Sequence, residues 1–349
     1  MTTQHVDAAR IGSAAGRHGT TGPGSHPRRR RSYAALASRH VRVLVAGEES
    51  AGAQALRITL DRGHEVVGAL TAGAATAGSV AGVATGAAVP VLDPGLVTDA
   101  GFARWVADHD VDLLLNVHSL RIAHAAVVAA PRLGSFNLHP GPLPRYAGLN
   151  APSWAIYEGE TRHAVTLHRM EAEVDAGTIA YEAWFDIGPH DTGLRVATTC
   201  VRLGVPLVGR LLDAAAEGPD AVPAHPQAAT GRRWFGRAAP DGGRLPWARP
   251  VRRVADHVRA ADYAPFPSPW GWPVTTTADG RELEVVRVGA TSTPCAGVAP
   301  GTVGRRSAAG VEVACADAWA VVERVRCDGR AVPADEVLRP GTVLTDPAS

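Results

Sequence analysis

Alternating strand-length and helix-length runs over 41–216 predict an α/β domain with a mostly parallel sheet, followed by a smaller β-barrel domain. Three observations lead there. Apolar runs of strand length recur between stretches of helical spacing, the signature of βα units. From 247 onward, over 247–345, short β patterns separated by Gly turns take over, which suits a small barrel. Between the two, 217–246 is rich in Pro, Gly and Arg, lacks periodicity and reads as a linker.

The first domain, 41–216, opens with a strand at 41–46 that runs through Gly47-Glu48-Glu49-Ser50-Ala51-Gly52 into a helix over 53–62. Strand 65–70, a Gly/Ala helix and strand 90–92 follow. Helix 100–109, strand 111–117, helix 123–130 and strand 135–139 continue the alternation, with a further helix at 154–158. Apolar runs at 164–167 and 178–185 read as an antiparallel pair flanking a loop. Residues 191–216 read as a long helix opened by the cap Asp191-Thr192. In the second domain a short helix at 248–260 precedes β patterns at 274–277, 283–290, 301–303, 311–315 and 319–325.

Composition removes several functions. At 349 residues the chain suits roughly two domains, and 46% apolar residues are enough for sizeable cores. A net charge of +1 argues against a nucleic-acid or anionic-membrane partner. No apolar run is long enough to span a bilayer, and a cytoplasmic protein is expected. All 35 basic residues are Arg, so Schiff-base and pyridoxal phosphate catalysis lack their Lys, as does a phosphate-binding P-loop. Cys200, Cys295, Cys315 and Cys327 show neither metal-ligand nor disulfide spacing. The stretch Gly47 to Gly52 lacks the middle glycine of a dinucleotide fingerprint, and Glu48 and Glu49 would repel a pyrophosphate, so it reads as a tight strand-to-helix turn. Residues 1–40, rich in Gly, Ser, Thr and Arg, are expected to be a disordered tail. Within them Arg28 to Arg31 reads as a solvated run, because the apolar stretch behind it is too short for a twin-arginine export signal.

The chemistry concentrates in Asn137-Leu138-His139-Pro140-Gly141-Pro142-Leu143-Pro144 and, further on, Val174-Asp175-Ala176-Gly177. These supply an amide, an imidazole and a carboxylate without a nucleophile. Residues two apart in a strand face the same side, so Asn137 and His139 can share one pocket at the strand end. The Pro-Gly-Pro that follows stops ladder pairing and turns the chain. Such a set suits acyl transfer to an amine, which must stabilise a developing oxyanion and take a proton off the attacking nitrogen. Asn137 can donate to the oxyanion, and His139 can act as a second donor or as the general base. Asp175 can orient the imidazole and raise its pKa, or relay the proton through water.

Asn137-Leu138-His139 with the later Asp175, together with Gly134-Ser135-Phe136 before it and Val165-Thr166-Leu167-His168-Arg169-Met170 after it, resembles the formyltransferase family that uses 10-formyltetrahydrofolate. The likeness runs from about 41 to about 344. It implies a Rossmann-like formyltransferase domain with a mostly parallel sheet, plus a C-terminal OB-like β-barrel. It also implies Asn137, His139 and Asp175 as the catalytic set, direct attack by the amine, and no metal. By position it assigns the pterin site to Ser119, Leu120, Arg121 and Ile122 and to Ala172, Glu173 and Val174, mostly through main-chain groups. For Leu120 and Ile122 ordinary core packing is the competing expectation. Asn116 and His118 are expected near the folate or the acceptor, Tyr146, Asn150 and Trp154 on the acceptor side or in the core, and His163, His168 and His190 as surface or core residues.

The acceptor is argued from charge. Family members acting on methionyl-tRNA carry a basic loop in the first domain, whereas 71–82 here holds no charged residue, and Arg and acidic residues balance from 249 to 346. The wording from Arg145 to Ala155 resembles formylation enzymes of peptide-synthetase and siderophore pathways. The expected partner is therefore a small-molecule amine or an aminoacyl carrier protein in secondary metabolism. Methionyl-tRNA, and water in a 10-formyltetrahydrofolate hydrolase, are the alternatives. Nothing in the residues bears on oligomeric state.

Overall fold

The computed structural model describes residues 40–345; the tail expected over 1–40, and Arg28 to Arg31 with it, lies outside them except for His40. Strand β1 (Arg42–Gly47) leads into α1 (Glu49–Asp61), then β2 (Glu65–Leu70), α2 (Val80–Gly86) and β3 (Val91–Leu92). After α3 (Phe102–Asp108) come β4 (Leu113–Val117), α4 (Ala125–Ala129) and β5 (Gly134–His139). These five strands pair in parallel in the order β3-β2-β1-β4-β5. Both faces of the sheet are covered, which is why its strands read as unbroken apolar runs. In β1 the consecutive residues Val43, Leu44, Val45 and Ala46 are all buried. Val43 and Val45 join one core with Leu113, Phe136 and Leu211, and Leu44 joins another with Phe102, Val106 and Leu114.

Helix α1 begins four residues earlier than its apolar spacing suggests. Gly47 and Gly52 allow it: a Cβ on Gly47 would stand 2.9 Å from the Cα of Gly52, so the turn closes only without side chains. Glu48 holds the loop after β2, accepting hydrogen bonds from Thr71 Oγ1 and from the Ala72 N–H, both at 2.8 Å. Helix α2 is capped by Ser79, whose hydroxyl accepts from the Gly82 N–H at 3.0 Å.

Beyond β5 lie the two-residue β6 (Ala147–Gly148) and α5 (Ala151–Tyr157), the latter starting ahead of the expected 154. Strand β7 (Arg162–Arg169) then joins β5 antiparallel, and β8 (Ile179–Asp186) joins β7 antiparallel, completing a seven-stranded sheet. Helix α6 (Gly193–Glu217) returns across it, capped by Thr192. It lies close because Gly204 has no side chain; a Cβ there would come within 3.0 Å of Leu138 and Val165. The order of strands reverses between β1 and β4, and open α/β sheets bind ligands outside the carboxyl ends of the strands at such a switch.

The stretch 217–246 is packed rather than slack. It contains β9 (Trp234–Phe235), which pairs in parallel with β6. Phe235 stacks on Tyr146 and on Trp154, with ring centroids 5.4 Å and 4.8 Å apart. Two-residue strands have no period to detect, which is why the segment reads as a linker.

Helix α7 (Val251–Ala260) opens the second fold, followed by β10 (Val274–Thr276), β11 (Glu282–Pro294), β12 (Val303–Ser307), β13 (Gly310–Ala314), β14 (Ala318–Cys327), β15 (Arg330–Pro333) and α8 (Ala334–Val337). The antiparallel order is β10-β11-β14-β13-β12, with β15 beside β14. Residues 342–345 then bridge the two outer strands. Leu344 donates to the Gly301 carbonyl at 2.8 Å, and Thr345 and Thr276 exchange hydrogen bonds at 2.8 and 3.0 Å, which closes the sheet on itself. Val254 and Val258 of α7 enter its core beside Leu283, Val313 and Val322. Among the described residues no helix is long and apolar enough to cross a membrane.

Candidate active site

Strand β5 delivers Asn137 and His139 side by side at the carboxyl end of the sheet, between β4 and β7. Parallel register places Asn116 of β4 opposite Asn137, and Asn116 Nδ2 donates to Asn137 Oδ1 at 2.8 Å. Antiparallel register places His168 of β7 opposite the same residue, with Asn137 Nδ2 3.1 Å from His168 Nε2. His168 Nδ1 lies 2.8 Å from the Arg169 carbonyl, which only accepts, so Nδ1 carries the proton and Nε2 accepts from Asn137. His168 is buried as expected of a core histidine, but its partners belong to the candidate site. The register that brings it there is not visible in sequence.

Asp175 reaches the same place from the loop between β7 and β8, in a left-handed conformation with φ +55°. Its Oδ1 is 3.4 Å from Asn137 Nδ2 and 3.4 Å from His168 Nε2. Its Oδ2 accepts from the Gly148 N–H at 2.8 Å and lies 3.7 Å from His139 Nδ1. The three residues expected from sequence are therefore brought together. His139 and Asp175 are 3% and 7% exposed, so their charges act in a dry setting.

The other nitrogen of His139 is committed. Nε2 lies 2.6 Å from the carbonyl of Tyr146, so it is the protonated nitrogen and the Nδ1 lone pair faces Asp175. Burial lowers the His139 pKa below its ordinary value; the Asp175 carboxylate opposes that and His168 adds to it. The imidazole is accordingly neutral at pH 7. For Asp175 burial pulls upward, but the charged forms of the His168 and His139 rings and the Gly148 N–H outweigh it and hold the carboxyl well below the usual range. A neutral base, an ionised carboxylate behind it and an amide beside it can together take a proton from nitrogen and stabilise an oxyanion.

The surrounding histidines differ in role. His163 Nε2 lies 2.9 Å from the Pro140 carbonyl, holding the turn after β5, and burial pushes its pKa down to about 4. His190 is exposed. His118, at the end of β4, pairs with Glu49 at 3.5 Å beside the β1/β4 switch.

Of the residues expected to read the pterin, Leu120 and Ile122 are 73% and 70% exposed, so core packing does not account for them. Ser119 is half-buried beside them, and Arg121 is exposed. On the loop between β7 and β8, Ala172 and Glu173 are exposed and Val174 is half-buried. The Val174 carbonyl is taken by Arg232 at 2.7 Å, and that of Glu173 by the Ala176 N–H at 3.4 Å. On the expected acceptor side, Tyr146 and Trp154 turn inward instead. Tyr146 is 1% exposed and its hydroxyl donates to Glu160 at 3.0 Å, while Trp154 packs between Phe235 and Trp270. Stacking on β9 draws both rings into the interior. Asn150 is half-buried just ahead of α5, in a left-handed conformation. Among the described residues no group of His, Cys, Asp or Glu is arranged to hold a metal ion.

Most of the chain is similar to known proteins. The profile described as formyl transferase matches residues 39–204, and that described as formyl transferase, C-terminal domain, matches residues 238–340. The chain is 34% identical over 245 residues to a methionyl-tRNA formyltransferase of Sorangium cellulosum, spanning 69% of this chain and 75% of that protein. Among solved structures, an N-formyltransferase of Helicobacter canadensis in complex with folinic acid and dTDP-3-aminofucose superposes with a TM-score of 0.62 at 14% identity. That match covers 80% of this chain and 97% of the other. HypX of Aquifex aeolicus in complex with tetrahydrofolic acid gives a TM-score of 0.55 at 20% identity, over 86% of this chain and 47% of that one. At these identities the structural likeness speaks to fold alone.

Proposed function

The chain belongs to the formyl transferase family and is an N-formyltransferase drawing on 10-formyltetrahydrofolate; from that premise we propose that Asn137, His139 and Asp175 carry the transfer, to an amino group of a secondary-metabolite precursor. That acceptor is a free amino acid or amine, or an aminoacyl group on a carrier protein.

The observation that carries the acceptor reading is local neutralisation of charge on the C-terminal barrel. Four of its arginines meet carboxylates: Arg281 with Asp328, Arg287 with Glu323, Arg305 with Glu312 and Arg326 with Glu284. A surface that binds an RNA backbone leaves such charges free for phosphate. Residues 72–78 of the first domain are exposed and carry no charge, and the Glu49 carboxylate stands at the switch crevice, where it disfavours an anionic acceptor. The 34% identity to a methionyl-tRNA formyltransferase favours a second reading, in which methionyl-tRNA is the acceptor.

The donor supplies the formyl group and a leaving nitrogen, N10. As the amine nitrogen bonds to the formyl carbon, the amide of Asn137 donates to the developing oxyanion. The Asn137 N–H held only by the 3.4 Å contact to Asp175 is the one available. His139 takes the proton from the attacking nitrogen at Nδ1, since Nε2 is committed to Tyr146. That commitment supports the general-base role over a second oxyanion donor. Asp175 stabilises the imidazolium so formed. As the carbon–N10 bond breaks, His139 returns the proton to N10, leaving tetrahydrofolate and the formamide.

The test is turnover of 10-formyltetrahydrofolate, followed by absorbance and product mass, with free amines and amino acids, aminoacyl carrier proteins and methionyl-tRNA in parallel. A formyl mass increment on a free or carrier-bound amine is expected. Formylation confined to tRNA would transfer the assignment to the second reading, and formate release without any acceptor would make the protein a hydrolase.

A further inference from the structure

Two side chains of the stretch between the folds reach the loop that carries Asp175. Gln227 Nε2 donates to the carbonyl of Asp175 at 2.9 Å and to that of Gly177 at 2.8 Å. Arg232 donates through Nη1 to the Asp175 carbonyl at 3.1 Å and through Nη2 to the Val174 carbonyl at 2.7 Å. The same stretch grips the site from the other side. In the β6/β9 pairing the Arg233 carbonyl accepts from the Ala147 N–H at 3.1 Å and the Phe235 carbonyl from the Leu149 N–H at 2.8 Å. Between them Gly148 donates to the Asp175 carboxylate.

We propose that Arg232 and Gln227 are positioning residues for formyl transfer, holding the backbone of Asp175 left-handed so that its carboxylate faces His139 and Asn137. The inference rests on the catalytic assignment above and extends it to a segment that touches none of the reacting atoms.

The geometry separates this from simple support of the fold. An L-residue at φ +55° persists when its surroundings over-determine it, and the peptide units on both sides of Asp175 are pinned by side-chain donors. Rotation of either unit would swing the carboxylate away from His139. The ion pair of Arg232 with Glu173 at 3.3 Å is to a 71% exposed partner and contributes little, so the bonds of Arg232 to main-chain carbonyls are what matter. Gln227 is half-buried and Arg232 is exposed, so neither is packed inside a core.

The experiment uses the full chain with Arg232→Ala, Arg232→Lys and Gln227→Ala beside Asp175→Asn. Tetrahydrofolate formation from 10-formyltetrahydrofolate is followed with hydroxylamine as the amine, and folinic acid binding is followed by tryptophan fluorescence. Both alanine variants should melt within a few degrees of wild type and bind folinic acid within about threefold of it. Their kcat should fall roughly ten- to a hundredfold, and the acidic limb of the rate profile should move to lower pH because the carboxylate no longer supports His139. Arg232→Lys, which keeps the charge, should retain part of the rate, and added guanidinium ion should restore part of it to Arg232→Ala. If Asp175→Asn loses activity while Arg232→Ala and Gln227→Ala keep wild-type kcat and pH profile, the positioning role is overturned. A loss that appears only in folinic acid binding overturns it too. If Asp175→Asn itself is fully active, the underlying catalytic assignment fails instead. Should Arg232→Ala not fold, Arg232→Lys and Gln227→Ala decide the matter by the same criteria.

Discussion

Replacing Asp175 by Asn removes one charge while keeping the shape of the side chain and an oxygen that can still accept from the Gly148 N–H. The carboxylate lies 3.7 Å from His139 Nδ1, the nitrogen proposed to receive the proton. At that separation and an effective dielectric constant near 20, a pair of unit charges is worth about 4 kcal/mol. The interaction exists only once the imidazole is charged, so its loss falls on the transition state and not on the neutral ground state. About 4 kcal/mol corresponds to roughly a thousandfold in rate. The pH profile should change as well. His139 must be neutral to accept a proton, and its pKa is already lowered by burial against the pull of Asp175. Without the carboxylate it falls further, so the acidic limb of kcat/KM moves to lower pH as the plateau drops. The assay is tetrahydrofolate formation across pH 4.5 to 9 with wild type and variant at matched concentration. A variant within tenfold of wild type, or a limb that moves to higher pH, would refute the coupling of these two residues.

His139→Ala should lower kcat by roughly a hundred- to ten-thousandfold with little change in folinic acid binding, measured by steady-state kinetics and fluorescence titration. His163 and His257 are buried with pKa values pushed down to about 4, chiefly by burial, against 6.5 when exposed. The unfolded chain therefore binds more protons between those values, and stability is lost as pH falls from 6.5 towards 4. Each should cost about 2 kcal/mol between pH 7 and pH 5, read from urea midpoints at the two pH values, and His257→Leu should remove its share of the slope. Gly148 has φ +93°, and a Cβ there would meet the Phe235 carbonyl oxygen at 2.2 Å. Gly148→Ala should therefore part β6 from β9, lower the melting temperature by several degrees and depress turnover; unchanged melting would show that the pairing is dispensable.

Much of the first fold was legible because buried parallel strands and their helices leave long apolar runs. The proximity of Asn137 and His139 follows from strand period alone, and the later Asp175 from resemblance. His168 stands in the same motif, yet by sequence it reads as a surface or core histidine. Its place depends on how β7 registers against β5, which no local pattern encodes. Tyr146 meets His139 through its main-chain carbonyl, so its side chain gives no hint of that contact. Gln227 and Arg232 are hidden for a related reason: they bind carbonyls across 50 or more residues of sequence, from a stretch without period. The closing segment 342–345 and β15 are short and bounded by Pro and Gly, which blurs them into turns.

The grip of β9 on β6 sets where this protein can be recombined with a relative. A chimera spliced near residue 217, where helix α6 ends, would exchange Gln227, Arg232 and Phe235 together with the barrel. A splice placed between residues 236 and 244 would leave them with the domain they serve. The working seam of the molecule thus lies some twenty residues beyond the end of α6, and barrels exchanged at the earlier point would arrive with foreign supports for the loop that carries Asp175.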